Sequence, residues 1–307
     1  MFSAIRYAKG KYMRITDIIK GNKPSLSFEV FPPKTFDNFE AARQAAEAIA
    51  ELSPGYMSVT YGAGGSTDIY TPEIAACILK KGVTPLAHLT CISLDEEKVD
   101  AILNNLKDIG VDNILALRGD LPKGVTEHKG AYMHASDLVA KIRESGGFCI
   151  GGACYPEGHP EAKNLEDDIE KLKIKLDAGC EFLTTQMFFD NNIIYSYMDK
   201  LHTAGIFATV VPGIMPVTSI KQIERIISIS GNAMPEKFMR IIDKYALDPT
   251  AMKEAGIEYA TEQIKDLYKN GFNAVHVYSM NKADVAENIR DNVAEIIGIK
   301  DRKHDGL

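Results

Sequence analysis

One alternation recurs eight times between Ser25 and Ile297. A short apolar run rich in β-branched and aromatic residues is followed by a polar or glycine-rich loop, then by apolar residues at helical spacing. Parallel strands need a crossover to bring the chain back to the same edge, and a helix is the usual one. Such a repeat therefore confines the chain to parallel α/β architectures. The runs are SLSFEVFPP (25–33), YMSVTYG (56–62), TPLAHLTC (84–91), NILALRGDLP (113–122), FCIGGACYP (148–156), FLTTQMFF (182–189), TVVPGIMP (209–216) and AVHVYSM (274–280).

Between them, Phe39, Ala42, Ala46, Ile49 and Leu52 mark one helix face, with Asp37 as N-cap and Glu40 completing a capping box. A glycine loop, Gly62–Gly65, leads to a helix ending near Lys81. Ser93 and Glu96 cap a helix whose apolar side is Val99, Ile102, Leu106 and Ile109, and Gly110 stops it. Further helices are expected from Ser136 to Glu144, along Leu165, Ile169, Leu172 and Leu176 up to Gly179, and from Ala283 to Ile297. A longer helical insertion, Ser219 to Lys269, precedes the last strand. Residues 1–24 read as a lead-in helix ended by Gly21-Asn22-Lys23-Pro24.

Eight strand-helix units in 307 residues fit a (β/α)8 TIM barrel, for which about 250 residues plus insertions is usual. Without a Pro/Ser-rich linker or a compositional break, residues 1–307 read as a single domain. An open doubly wound sheet is disfavoured: no G-x-G-x-x-G follows the first strand, and the Gly62–Gly65 loop lacks a Walker lysine.

Charge narrows the partners. The formal net charge is -7 without a basic patch or tail, which argues against nucleic acid and anionic membrane and leaves small molecules. The five cysteines, Cys77, Cys91, Cys149, Cys154 and Cys180, are odd in number and lack C-x-x-C spacing. They suit reduced thiols of a cytoplasmic protein. The N-terminus carries charges throughout, unlike a signal peptide, and no run approaches the roughly 18 apolar residues of a membrane span.

The candidate chemistry sits where strands stop. The apolar run Ile114–Leu117 stops at Arg118-Gly119-Asp120, a cation, a glycine and a carboxylate that are rarely buried together, so the strand has reached an edge. Ligands sit at the carboxyl edge of parallel strands. Taken alone, the motif reads equally as a surface turn with an Arg118–Asp120 ion pair. Side chains alternate along a strand, and that parity turns Glu29, Thr60, His88, Arg118, Asp120, Tyr155, Gln186 and His276 or its neighbours inward. Barrel centres prefer Val, Ile and Leu, so a polar ring at one end points to a site.

Glu29, between Phe28 and Val30, should lose solvation, which raises its pKa toward that of a general acid. The competing role is a structural ion pair with Arg118 or a lysine. Arg118 suits a phosphate or carboxylate through its planar fork. Downstream lie Tyr155, His159, Asp168, Lys171 and Lys175; the last three share a helix face that is either solvated or lines the site. His88-x-x-Cys91 and Cys154…His159 match no compact zinc motif, and neither a Ser-His-Asp nor a G-x-S-x-G nucleophile is visible.

FEVFPPK, SVTYGAGG, PLAHLTC, ILALRGDLP, YPEGHPEA, TTQMFFD and PGIMPV occur in an order and at spacings that resemble the methylenetetrahydrofolate reductase family from about Ser25 to Ala294. The resemblance implies a (β/α)8 barrel with noncovalent FAD at the carboxyl ends of its strands. It implies ping-pong hydride transfer from NADH or NADPH through the flavin to 5,10-methylenetetrahydrofolate, giving 5-methyltetrahydrofolate for methionine biosynthesis. Glu29 would protonate N10 and open the ring to a 5-iminium cation. Asp120 would contact the pterin and influence the flavin, while Gln186, Gln222 and Lys282 would hold the folate. Thr60, Tyr61, Ala63, His88, Arg118, Gly119, Asp120, His134, Ala135, Ala153, Tyr155, His159, Asp168, Lys171 and Lys175 would surround FAD, with no metal.

Three positions depart from the family pattern. His134 stands where tyrosine is usual, Lys282 where an arginine often meets the folate tail, and Ile226 where some members have a stacking aromatic. The chain ends at Leu307, so a regulatory domain and control by S-adenosylmethionine are not expected. A homo-oligomer is expected, since exposed helices of such barrels commonly pair; a protein partner is the alternative electron donor. The rival enzyme is a metal-dependent barrel lyase or hydrolase using His88, Cys91, His159 and His276. The non-catalytic rival is a folate- or flavin-binding subunit of a larger complex.

Overall fold

In the computed structural model, which describes residues 13–33, 35–61, 70–92, 94–120, 130–230 and 234–299, the apolar runs form one parallel sheet. Its strands are β1 (Ser25–Val30), β2 (Met57–Val59), β3 (Pro85–Thr90), β4 (Asn113–Leu117), β5 (Cys149–Cys154), β6 (Phe182–Thr185), β7 (Thr209–Val211), β8 (Gly213–Ile214) and β9 (Ala274–Tyr278). The helices are α1 (Ile15–Ile19), α2 (Phe39–Ala50), α3 (Tyr70–Lys80), α4 (Glu96–Ile109), α5 (Ala135–Ser145), α6 (Leu165–Asp177), α7 (Asn191–Thr203), α8 (Ile220–Ser230), α9 (Glu236–Tyr245), α10 (Pro249–Lys269), α11 (Ala283–Asn292) and α12 (Ala294–Ile297).

The hydrogen-bonded order β7-β6-β5-β4-β3-β2-β1-β9-β8 places the two halves of one run at opposite ends of the sheet. The expected seventh strand, Thr209–Pro216, is broken at Pro212: β7 pairs with β6 and β8 pairs with β9. Proline has no N–H for a ladder, but its carbonyl still accepts from His276 N at 2.9 Å. The barrel therefore closes through the chain itself. At the seam Gly213 N donates to Thr185 Oγ1 at 2.8 Å and the Tyr278 hydroxyl donates to Thr185 O. A Cβ on Gly213 would lie 2.3 Å from that hydroxyl, so only glycine leaves room for Tyr278.

Parity sorts each strand into two cores. Leu26, Phe28 and Val30 join the main core beneath the helices, while Ser27 and Glu29 face the barrel axis. The lower interior is packed by Tyr56, Leu86, Leu115, Cys149, Phe182, Val211 and Ala274, closed from below by Ile15 and Ile19 of α1. Asn113 Oδ1 accepts from Ile15 N at 2.9 Å, and Asn273 Nδ2 donates to Ile19 O and Gly21 O. Of the lead-in helix read over 1–24, the described part is this one short plug; residues 1–12 lie outside the described residues.

Several local expectations change. The cap of α2 is Asn38, reached through a 3-10 turn over Phe36–Asn38, so Asp37 is not the N-cap; Glu40 pairs instead with Arg43 and Gln44. Asp95 caps α4 by accepting from Lys98 N at 2.9 Å, in place of the Ser93–Glu96 box, and Ser93 lies outside the described residues. Leu103, not Ile102 or Ile109, sits deepest beside Val99 and Leu106. Gly110 does end α4, at φ 82. The single insertion resolves into three helices. α10 packs on α7, β8 and β9 as the ordinary crossover, while α8 and α9 share a satellite core with Phe189, Val217 and Met252. Among the described residues no helix is long and apolar enough to cross a membrane.

Candidate active site

The carboxyl ends of the strands surround a cavity of about 1340 Å³. β1 delivers Glu29, and the residues just after β2 deliver Thr60 and Tyr61. β3 carries His88, and the turn after β4 carries Arg118, Gly119 and Asp120. The start of α5 brings His134 and Ala135; β5 and its loop bring Ala153, Tyr155 and His159. Asp168, Lys171 and Lys175 come from α6, and Gln186 from the end of β6. All of these line one cavity. Ala63 lies outside the described residues.

Glu29 is buried at the floor. Desolvation pushes its pKa up to about 8, opposed by a hydrogen bond with Ser58. The same loss of water drives His88 and His276 down to about 3, so both imidazoles are neutral. His88 Nε2 lies 3.5 Å from Glu29 Oε2; near pH 7 this is a contact between neutral groups. The flanking Phe28 and Val30 are not what desolvates Glu29, because strand alternation turns them to the opposite face. Its neighbours come from other strands: Ser58, His88, His276 and Tyr278.

Arg118 pairs with neither Asp120 nor Glu29. Its guanidinium grips Glu161 two-pronged, at 2.5 and 2.7 Å, across the cavity rim. Burial pushes Tyr155 up to about 12, and its ring meets His159 edge-on at 4.7 Å. Asp168 Oδ2 accepts from His159 N at 3.2 Å, and burial raises this carboxyl above its ordinary range. Lys175 turns inward, its Nζ donating to Ala153 O at 2.6 Å, and burial lowers its pKa. Lys171 lines the rim with its Nζ paired to Asp167.

Gln222 and Lys282 lie outside the residues that line the cavity. The Gln222 amide is engaged within its own loop, with Thr218 N and Pro216 O, and Lys282 Nζ donates to Thr218 Oγ1 at 2.6 Å. Ile226 is buried in the satellite core beside Phe238 and Met252. The four residues of the metal reading do not converge: Cys91 Sγ faces the carbonyls of Arg118 and His134, and His159 packs on Tyr155. Among the described residues no group of three or more His, Cys, Asp or Glu is arranged to hold a metal ion.

Sequence reading missed Ser27, Ser58, Glu161, Thr184 and Tyr278. Parity could have found Ser58, Thr184 and Tyr278, which are in step with Thr60, Gln186 and His276. Nothing local marks Glu161 as the partner of Arg118. The lining suits a large heterocyclic cofactor bearing phosphates. Among the described residues Thr184 Oγ1 and His88 Nε2 are buried polar atoms without a hydrogen-bond partner, and cationic Arg118, Lys171 and Lys175 ring the wall.

A closed parallel barrel with a titratable, desolvated carboxyl under a wide cavity at its carboxyl mouth is the arrangement of a (β/α)8 enzyme acting on a small molecule. Residues 14–294 match the family model described as Methylenetetrahydrofolate reductase. A 5,10-methylenetetrahydrofolate reductase of Pectobacterium carotovorum subsp. carotovorum is 35% identical over 263 residues, covering 85% of this chain and 87% of its own. Methylenetetrahydrofolate reductase (NADH) 1 of Arabidopsis thaliana is 33% identical over 88% of this chain and 49% of its own. An uncharacterized Clostridium thermocellum protein that binds two copies of 5-methyl-5,6,7,8-tetrahydrofolic acid shares the fold, with TM-score 0.57 at 14% identity over 90% of this chain and 96% of that one. The chain belongs to the methylenetetrahydrofolate reductase family, and it is an enzyme.

Proposed function

We propose that the protein reduces 5,10-methylenetetrahydrofolate to 5-methyltetrahydrofolate with noncovalently bound FAD, taking electrons from reduced nicotinamide in a ping-pong cycle. The observation that carries this reading is Glu29: a buried carboxyl with a pKa of about 8, set in the floor of a cavity wide enough for a cofactor and a second ligand. At neutral pH it holds a proton to deliver to N10 of the folate, which opens the ring. Bound flavin supplies the hydride chemistry. Thr60, Tyr61, His134, Ala135, Ala153, Tyr155, His159 and Asp168 shape its berth, and Arg118, Lys171 and Lys175 give its phosphates positive partners.

Asp120 and Gln186 reach the open side of the cavity, where the pterin would lie. Gln222 and Lys282 would meet the folate tail by way of the Pro216–Gln222 loop that they brace. The Arabidopsis relative is named for NADH, which makes NADH the first donor to test. Free, mostly buried thiols suit a reducing cytoplasm, and a homo-oligomer of single barrel domains completes the reading.

The test is an anaerobic titration. Purified protein should be yellow, and NADH or NADPH should bleach it without folate. Glu29→Gln should still bleach but lose folate reduction by at least about 100-fold, the usual lower range for a general acid. A protein that cannot be reconstituted with FAD, or equal loss of both half-reactions in Glu29→Gln, overturns the assignment.

A further inference from the structure

We infer that Ser279 and Asn281, in the turn after the last strand, are positioning residues for Glu29: their side chains carry the pairing of β1 past the end of β9 and lock the strand end that bears the acid. This rests on the reading above only in taking Glu29 as the proton donor. β9 stops at Tyr278, which stands opposite Glu29 in the register. Beyond that point side chains take over. Ser279 Oγ donates to Glu29 O at 2.6 Å, and Ser279 is only 1% exposed. Asn281 Oδ1 accepts from Phe31 N at 2.7 Å, and its Nδ2 donates to Phe31 O at 2.9 Å.

An asparagine amide presents a carbonyl and an N–H on one planar group, as a peptide does, so it can pair with both polar groups of a single residue. The main chain of the turn is not free to do this. Met280 and Asn281 adopt φ 54 and 58, left-handed values at which a strand cannot continue. Asparagine tolerates that region and methionine rarely enters it, so the turn is held by its bonds rather than by preference. On the other flank Thr60 N donates to Val30 O at 3.0 Å. Glu29 therefore sits on a strand end tied from both sides, by main chain next to β2 and by side chains next to the turn.

The tie controls the wall above the acid. Phe31 and Pro32 follow Glu29 and line the cavity together with Met280 from the same turn. Loosening the turn opens that wall, lets water reach the carboxyl and shifts it from its ligand. The titratable groups around Glu29 are His88 on β3, His276 and Tyr278 on β9, and Tyr56 just before β2. Burial keeps both imidazoles neutral and raises both phenols, while Ser58 Oγ donates to the carboxyl at 3.4 Å. None of these groups belongs to the turn. A change in the acid on altering Ser279 or Asn281 thus reports its position and solvation, not a lost charge.

Ser279→Ala and Asn281→Gly holoenzymes test this; glycine keeps the left-handed turn and removes only the amide. In each, the protonated-carboxyl infrared band that Glu29→Gln abolishes should titrate away about one pH unit lower than in wild type, as water reaches the group. The folate half-reaction should fall about tenfold to a hundredfold while reduction by the nicotinamide donor keeps its rate, since a carboxyl displaced by about 1 Å matters only to the first. An unmoved band with an unchanged folate half-reaction, or equal loss of both half-reactions, overturns the role. Should Ser279→Ala not fold, Asn281→Gly decides. Wild-type protein that reduces no folate at any pH defeats the functional reading instead, and the infrared titration then decides the tie alone.

Discussion

Glu29 shows how residue-scale reading succeeds and where its reasons differ. A desolvated acid was legible from its apolar company, yet Phe28 and Val30 face the outer core, and the desolvation comes from strands on either side and across the barrel. Its raised pKa has a consequence for stability. In the unfolded chain the carboxyl ionises near 4.5; in the folded protein it keeps its proton to about 8. The folded state therefore binds more protons across that window. This contribution to stability is fully present below pH 4.5 and is lost as pH rises through 8, by at most a few kcal/mol. Thermal melts of wild type should decline from pH 5 to 8 more steeply than those of Glu29→Gln, and parallel curves would contradict a buried protonated acid. Arg118 was legible as an anion binder, but its partner Glu161 was not, since 43 residues separate them.

Elements were easier to read than their edges. All eight strand-forming runs were found because alternation and glycine or proline punctuation are local, whereas caps shifted by a residue or two, to Asn38 behind a 3-10 turn and to Asp95, whose side chain reaches Lys98 N. The break at Pro212 and the division of the Ser219–Lys269 stretch were not visible, because packing decides which part of an apolar stretch becomes crossover and which becomes satellite. Gly256 makes the point within α10. A helix-interior glycine normally gains about 1 kcal/mol on change to alanine. Here the new Cβ would lie 1.8 Å from Val217 O, in the loop braced by Gln222 and Lys282. Gly256→Ala should instead destabilise by about 1–3 kcal/mol, read from the denaturant midpoint, and a stabilised variant would show that α10 does not press on that loop.

On the scale of the whole molecule, the cavity is a property of closure. Its walls come from β1 through β6, β9, α5 and α6, and they meet because the chain passes from β7 to β8 around Pro212. A ligand filling it binds the folded barrel and not the open chain. FAD should therefore raise the melting temperature of apoprotein in step with the logarithm of its concentration, about 2.7 kcal/mol at one hundred times Kd. A melting temperature indifferent to FAD would place the flavin elsewhere or nowhere. The repeat of strand, loop and helix, the polar strand ends and the family were readable from the sequence by itself, since each depends on neighbours along the chain. Tertiary structure alone decided the ring's closure at Pro212, the Arg118–Glu161 grip and the meeting of Ser27, His276 and Ser58 beside Glu29. Ser27 and His276 stand 249 residues apart, and a hydrogen bond between them exists only once the barrel has brought its first and last strands together.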